Sequence, residues 1–582
     1  MLNVRLYRTA WLVAGVALVV ALLTLQAPDP GPAPLLPSTI DGQGTFLLAN
    51  QLSAIAPSRP AGSSEDLRAA RFVQGQLAQV PGAAPAGGQK SRVQVQDFQA
   101  LRNGEPVDLQ NVYLVVPGVP DGRVPGGIVV VAPRDTPAGV SAGASSTAVM
   151  LRLARASGTT RHQRPHLFVS TDGSTIGNAG LRWFLRRFSA FPLSAVIVLD
   201  APGEASGDRI HVWTAGRTDR QSLGLGNFAE SSVKRVGGRP EGVPGLTGQV
   251  LRLAVPQTFG EQGAAIAAGL PAVTLSGRSE SPLRPGGPSS ADRLELAVTA
   301  ADDLLGALDV ATTVPAPDGS LRFAGRILRP TIGRLALLLV LLPVLVLTLD
   351  IVARQRRARA PVADGLRAVG LRVVPLVLAL GVAHLLSLAH LLPGPSAGVP
   401  ALPADTRFTA LGGLALILSV AAGYLGWRAT RRAARRIGAS GAAEGTAALA
   451  ALAALTIVLW IVSPYALILV VPAAHAALLA TAARRPWHLP ALAALALFPL
   501  LLLTFHIAGI LNAKPPFAVW YLIATSANGS RGATGVLLAV LVAACLWSLG
   551  ALVVERAVKG GLGPGGPRRP RPRPPRSSGA RG

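Results

Sequence analysis

The 582-residue chain is poor in several residue types that soluble proteins use freely. It holds one cysteine, Cys545, inside an apolar run, so no disulfide can close within the chain and no cysteine-based zinc or redox site exists. Aromatic residues make up 5% and charged residues only 14% while half of the chain is hydrophobic, which excludes an ordinary soluble multidomain protein. Lysine occurs only at Lys90, Lys234, Lys514 and Lys559, so arginine carries almost all of the formal charge of +26. With Ala, Gly, Pro and Val heavily used, we read this as GC-rich bacterial coding. The charge does not mark a nucleic-acid binder. Much of it lies between apolar runs and in the tail "RRPRPRPPRSSGARG", where it sets topology or touches anionic lipid.

What the sequence does have is long apolar runs. A helix needs about 20 apolar residues to cross the hydrocarbon core. Eight segments qualify: 9–26, 331–352, 373–392, 407–427, 445–463, 465–483, 489–511 and 535–554. Arg5 and Arg8 precede the first. Arg354, Arg356, Arg357 and Arg359 follow the second; Arg428, Arg431, Arg432, Arg435 and Arg436 follow the fourth; Arg484 and Arg485 follow the sixth. If all eight cross, every cluster and the tail fall on one side, which the positive-inside rule makes cytoplasmic. The expected organisation is an N-terminal anchor (1–29), an exoplasmic domain (30–325), a seven-span membrane domain (326–556) and a disordered basic cytoplasmic tail (557–582). The first segment is expected to stay uncleaved, because Leu25-Gln26-Ala27 is a poor small-x-small site. Residues 512–532 are expected to form an interfacial loop or a re-entrant piece.

Within the large domain, "TFLLANQLSAIA", "SEDLRAARFVQGQLAQV", residues 144–157 and "NAGLRWFLRRF" have helical periodicity, whereas "SRVQVQDFQ", "LQNVYLVVPG", "GGIVVVA", "HLFVST" and "SAVIVLD" read as strands. Continuous apolar strands alternating with helices predict a mixed, mostly parallel sheet with helices on both faces, beside an all-α transmembrane bundle of eight spans. Ligands of such sheets sit at the carboxyl ends of strands. Asp135, Asp172 and Asp200 fall there, and Asp292 could gather with them. These four are the candidate binding residues, in an acidic cleft for an amine, a cation or a basic peptide. Caps and strand ends explain the same aspartates.

The segments "APSRPAGSSEDLRAARFVQGQL", "NVYLVVPG", "GGIVVVAPRD", "AGASSTAVMLRLAR", "HLFVSTDGSTIGNAGLRWFL", "AVIVLD" and "GLPAVTLSG", over roughly residues 45–310, resemble in order and spacing the di-zinc aminopeptidases of clan MH. That resemblance implies an aminopeptidase-like fold. Those enzymes hold two zinc ions with His-x-Asp after one strand, a Gly-Ala-x-Asp turn, a Glu-Glu pair, a further Asp and a late His; the first glutamate of the pair serves as base. Carried over residue by residue, the first histidine falls on Pro133, its aspartate on Asp135, the bridging aspartate on Ser146, the pair on Ser174 and Thr175, the further aspartate on Asp200 and the late histidine near Pro288. At most one direct ligand and one supporting carboxylate are retained, so no metal site, no cofactor and no catalytic residue are expected. "GASST" is not a G-x-S-x-G nucleophile elbow. His162, His166 and His211 are read as structural or surface residues away from the cleft.

One anchor, such a domain and seven further spans also resemble the attachment-protein subunit of GPI transamidase. "EQGAAIAAGLPAVTLSG" is similar to a segment of that subunit, with Gln262 where a histidine is common. A bacterial origin leaves only the idea of a noncatalytic membrane scaffold. Five histidines lie in or beside spans: His384, His390, His475, His488 and His506. They fit packing by hydrogen bonds or an ion path. Three functions follow. The first is a plasma-membrane pseudo-aminopeptidase that binds an envelope peptide, a lipid-linked substrate or a protein partner. The others are a metallohydrolase with a different ligand set, and a transporter.

Overall fold

The structure is a computed structural model that describes residues 3–81, 93–102, 104–119, 126–136, 144–204, 208–281, 289–393, 406–438, 440–481 and 488–558. Pro288, Arg484, Arg485 and the basic tail lie outside the described residues. After helix α1 (Val4–Leu22) the chain enters an α/β domain. Its helices are α2 (Gly42–Ile55), α3 (Ser64–Ala78), α4 (Ala144–Ser157), α5 (Ala179–Arg187), α6 (Leu223–Arg235), α7 (Leu246–Ala254), α8 (Gln262–Ala267) and α9 (Ala291–Val310). Its main strands are β1 (Val93–Arg102), β2 (Glu105–Val116), β3 (Gly127–Pro133), β4 (His166–Thr171), β5 (Leu193–Asp200), β6 (Arg209–Trp213), β7 (Arg239–Glu241) and β8 (Ala272–Ser276).

These form one eight-stranded sheet in the order β1-β2-β4-β3-β5-β8-β6-β7. β4, β3, β5 and β8 run parallel at its centre, while β2 on one flank and β6 on the other are antiparallel to their neighbours. The long apolar runs have a simple cause: successive side chains leave opposite faces of a strand, and both faces are covered. Ile128, Val130, Phe168 and Ile197 pack under α2, α4 and α9, and Val129, Val131, Val169 and Val198 pack under α5 and α8. Side-chain caps start three of these helices: Asp41 accepts from Gly44 N (2.6 Å), Ser63 from Asp66 N (3.1 Å) and Ser290 from Arg293 N (3.4 Å).

The hairpin β9 (Leu321–Phe323) and β10 (Arg326–Leu328) leads out of the domain, and Ile327 bridges to Gln26. The chain therefore leaves the domain beside the place where it entered. The helical bundle follows as α10 (Pro330–Arg357), α11 (Val362–Leu371), α12 (Val373–Leu388), α13 (Ala410–Ile437), α14 (Gly441–Val462), α15 (Leu467–Ala480), α16 (His488–Leu511), α17 (Pro515–Ala527) and α18 (Ala533–Val558). Among the described residues seven helical stretches are long and apolar enough to cross a membrane, with α11 and α12 counted as one stretch. The sequence led us to expect eight. The sixth expected segment, 465–483, is described to residue 481 and forms a 14-residue helix preceded by a short 3-10 turn, below the length that crosses unaided. The expected loop at 512–532 is mostly helix α17, with Trp520 and Tyr521 buried.

The domain rests on this bundle. Leu251, Val255 and Phe259 pack with Ile507, Leu511 and Tyr521 of α16 and α17, and the Tyr465 hydroxyl donates to the Gly319 carbonyl.

Candidate functional site

The carboxyl ends of β3, β4, β5 and β8 meet at one end of the sheet. β3 ends at Pro133, paired with Thr171, and the chain runs on through Arg134 to Asp135. Asp135 Oδ1 accepts from Ser174 N (2.9 Å), and Oδ2 accepts from Thr175 N (2.9 Å) and Thr175 Oγ1 (2.7 Å). The carboxylate thus fixes the turn after β4. On the next strand, Asp200 accepts from Ser276 Oγ (3.1 Å) and pairs with Arg278, whose Nε and Nη2 lie 3.1 and 3.2 Å away. Ser146, in the first turn of α4, accepts from Ala201 N at 2.8 Å. The positions that the resemblance singled out at 133, 135, 146, 174, 175 and 200 are therefore brought to one end of the sheet.

The four candidate aspartates divide. Asp135 and Asp200 line this end. Asp172 turns inward to a sealed cluster in which Arg134 Nη2 lies 2.7 Å from Asp66 and 3.5 Å from Asp172, with all three side chains inaccessible. Asp172 also accepts from Gly173 N (2.7 Å) and Gln110 N (3.2 Å). Burial pushes the Asp66 and Asp172 carboxyls above their usual range against the pull of Arg134. Asp292 is exposed in the first turn of α9, where a carboxylate complements the helix dipole. Among the described residues no hydrogen bond or ion pair joins it to the other three.

Two glutamates complete the cleft, and the sequence reading passed over both. Glu261, immediately before α8, is fully buried and accepts from Thr171 Oγ1 at 2.9 and 3.0 Å. Burial, reinforced by the charges of Asp135 and Asp200 and opposed by the Thr171 hydroxyl and Arg217, pushes its carboxyl up to about 8. Glu204, in the 3-10 turn after β5, is pushed up to about 7 by burial, with Arg278 pulling down and Asp200 pushing up. Its buried Oε2 has no hydrogen-bond partner. The signal for Glu261 was present in "GEQGAAIAAG", but an acid at a helix start reads as helix-dipole complementation.

His211 is also placed differently from the sequence reading. It lies in register with Ser276, which pairs with Asp200, so the three stand in one row across the sheet at the cleft end. Even so, among the described residues the cleft acids and His211 form no group of three ligand atoms within 4.8 Å; the only such group is His162, His166 and Asp309. Two carboxyls that hold a proton near neutral pH can bind a cation or exchange a proton. A paired zinc site requires several imidazole and carboxylate atoms to converge.

No protein-family model matches the chain, and no curated protein matches it in sequence. Solved structures similar to it include a glutaminyl cyclase of an Acidobacteriales bacterium, at 17% identity over 48% of this chain and 99% of that one, with a TM-score of 0.36. The LapA aminopeptidase of Legionella pneumophila is similar at 16% identity over 47% of this chain and 70% of that one, with a TM-score of 0.36. LapB from the same organism is similar at 19% identity over 49% of this chain and 79% of that one, with a TM-score of 0.36.

Proposed function

We propose that this chain is a multi-pass plasma-membrane protein whose exoplasmic α/β domain binds a cationic group in an acidic cleft and does not hydrolyse it. One observation carries the reading: where the di-zinc aminopeptidases place ligands, this chain has Pro133, Ser146, Ser174 and Thr175, and no three ligand atoms converge there among the described residues. The two zinc ions of those enzymes do not fit these residues. Asp135 and Asp200 are engaged by turn donors and by Arg278, whereas Glu204 has a carboxylate oxygen without a hydrogen-bond partner, and Glu261 beside Thr171 adds a second acidic group. Glu204 takes up negative charge around pH 7 and Glu261 only above about 8, which suits an amine or guanidinium of an envelope peptide, a lipid-linked substrate or a protein partner whose positive charge draws the proton off.

Orientation and span count belong to the same proposal. The arginine clusters at the end of α10 and of α13 lie away from the domain, as the positive-inside rule requires of a cytoplasmic face. α15 is short, but the 3-10 turn before it holds Tyr465, which touches the domain at Gly319, and its own His475 bonds Tyr7 near the start of α1. The other end of α1 leads to the domain at Gln26, so α15 runs from the domain side toward the start of α1, which favours counting it as an eighth crossing. The intramembrane histidines favour packing over transport. His475 Nε2 donates to the Val340 carbonyl (3.0 Å) and Nδ1 accepts from Tyr7 Oη (3.1 Å), while His384 Nδ1 meets the Ala527 carbonyl at 2.7 Å.

The test is binding of short peptides with basic amino termini to the full-length protein in detergent. Glu204→Gln and Glu261→Gln are each expected to weaken binding about tenfold while the peptide is recovered intact. Cleavage of the peptide, or affinity unchanged in both variants, overturns the proposal.

A further inference from the structure

At the opposite end of β4 from the cleft, the loop between α4 and β4 meets the last turn of α9. The residues are His162, His166 and Asp309, and one ligand atom from each lies within 4.8 Å of the others. The sequence reading treated both histidines as structural or surface residues. The fold brings in Asp309 from 143 positions beyond His166, which spacing within the loop alone does not reveal.

We propose that His162, His166 and Asp309 form a binding site for one zinc-class divalent cation, independent of the cleft.

Two neutral imidazoles and a carboxylate, with a water in the fourth position, are a zinc donor set. His166 Nε2 is buried without a hydrogen-bond partner and lies 3.5 Å from Asp309 Oδ1. That separation is long for a hydrogen bond to a carboxylate, whereas ligand atoms about 2.0–2.1 Å from a shared tetrahedral ion stand about 3.3 Å apart. The surroundings hold each ligand in place, as metal ligands require. His162 Nε2 donates to the Ser157 carbonyl (2.7 Å), which leaves its Nδ1 lone pair available. His166 Nδ1 meets Ser157 Oγ at 3.2 Å. Asp309 accepts from Gln163 N (3.0 Å) and Arg164 N (2.9 Å). The nearby Arg164 guanidinium is turned away to Ser194 Oγ (2.6 Å) and the Ala311 carbonyl (2.5 Å). An ion here ties the loop before β4 to the end of α9, from which the chain continues toward the membrane.

The experiment is calorimetric titration of zinc into chelator-stripped full-length protein in detergent, with thermal unfolding followed in parallel. One equivalent is expected, with a raised Tm. His162→Ala and His166→Ala should each weaken binding at least about a hundredfold and abolish the Tm rise. His162 is half-buried, so its alanine variant serves as the reading if His166→Ala misfolds. No zinc uptake by the stripped wild type overturns the proposal. So does uptake that persists at full affinity in the His162→Ala/His166→Ala double variant.

Discussion

The α/β domain and the helical bundle both bury polar groups, and they satisfy them differently. In the domain the buried polar groups include charges: Arg134 is held between Asp66 and Asp172, and Glu280 faces Arg252 at 2.6 Å. In the bundle they are mostly neutral and bond to backbone, as when Ser548 Oγ donates to the Ala544 carbonyl (3.0 Å) and Thr456 Oγ1 to the Ala453 carbonyl (2.7 Å). The ion pairs described in the bundle, Asp350–Arg354, Asp364–Arg367 and Arg372–Glu444, lie toward helix ends. The bundle's hydrogen bonds close locally or between neighbouring helices, as a hydrocarbon surrounding demands. Among the described residues, the carboxyls that burial raises to near neutral pH, Asp172, Glu204 and Glu261, lie in the domain, and there the ligand chemistry is to be sought.

The comparison can be broken most forcefully at Arg134. Replacing it with Met removes the guanidinium that pairs with both buried carboxyls and leaves Arg59 as the remaining cation near Asp66, and unfolding of the full-length protein should show a loss of about 3–5 kcal/mol. A loss below about 1 kcal/mol would mean that the cluster is wetter than its burial implies.

Asp135→Asn should have a smaller effect, about 1–3 kcal/mol, because it disturbs three hydrogen bonds that hold the turn at Ser174 and Thr175. Proteolysis within that turn should quicken alongside the lowered Tm.

The buried carboxyls of the domain should also give stability a pH dependence. Folded Glu261 keeps its proton up to about pH 8 and an unfolded glutamate loses it near 4.5, so the folded state binds more protons between those values. The contribution of this group to stability is complete below about 4.5 and is lost as pH rises through 8. Glu204 acts in the same direction up to about 7. Stability, measured by unfolding from pH 5 to 8, should therefore decline less steeply in Glu261→Gln than in the wild type; identical slopes would place the proton elsewhere.

The smallest effect is expected in the bundle. His475→Phe removes two interhelical hydrogen bonds worth about 1 kcal/mol in total and should leave ligand binding by the domain unaltered.

Those parts of the fold that depend on a run of one chemical character were legible in the sequence. The strand Gly127–Pro133 is apolar on both faces because helices cover both, and the long spans declare themselves by length. Short elements were not. β6 has five residues, so "DRIHVWTAG" showed a histidine but no strand, and the row linking His211 to Asp200 stayed hidden. α17 lies between proline and glycine, and its burial comes from neighbours that a local reading does not see. Of the site, Asp135 and Asp200 were visible because strand ends mark the cleft. Asp172 obeyed the same rule but turned inward to an arginine next to the strand on its flank. Glu261 arrives from 90 residues beyond Thr171, and only the tertiary fold sets them together.

The central claim is that the carboxyl end of the sheet binds without catalysing, and its most direct test is metal content and peptidase activity after the far site has been removed. In the His162→Ala/His166→Ala double variant of the full-length protein, supplied with zinc and washed, the account predicts no retained zinc and no hydrolysis of aminoacyl anilides. Two zinc ions per chain, lost on Asp200→Ala together with a chelator-sensitive hydrolysis, would contradict it.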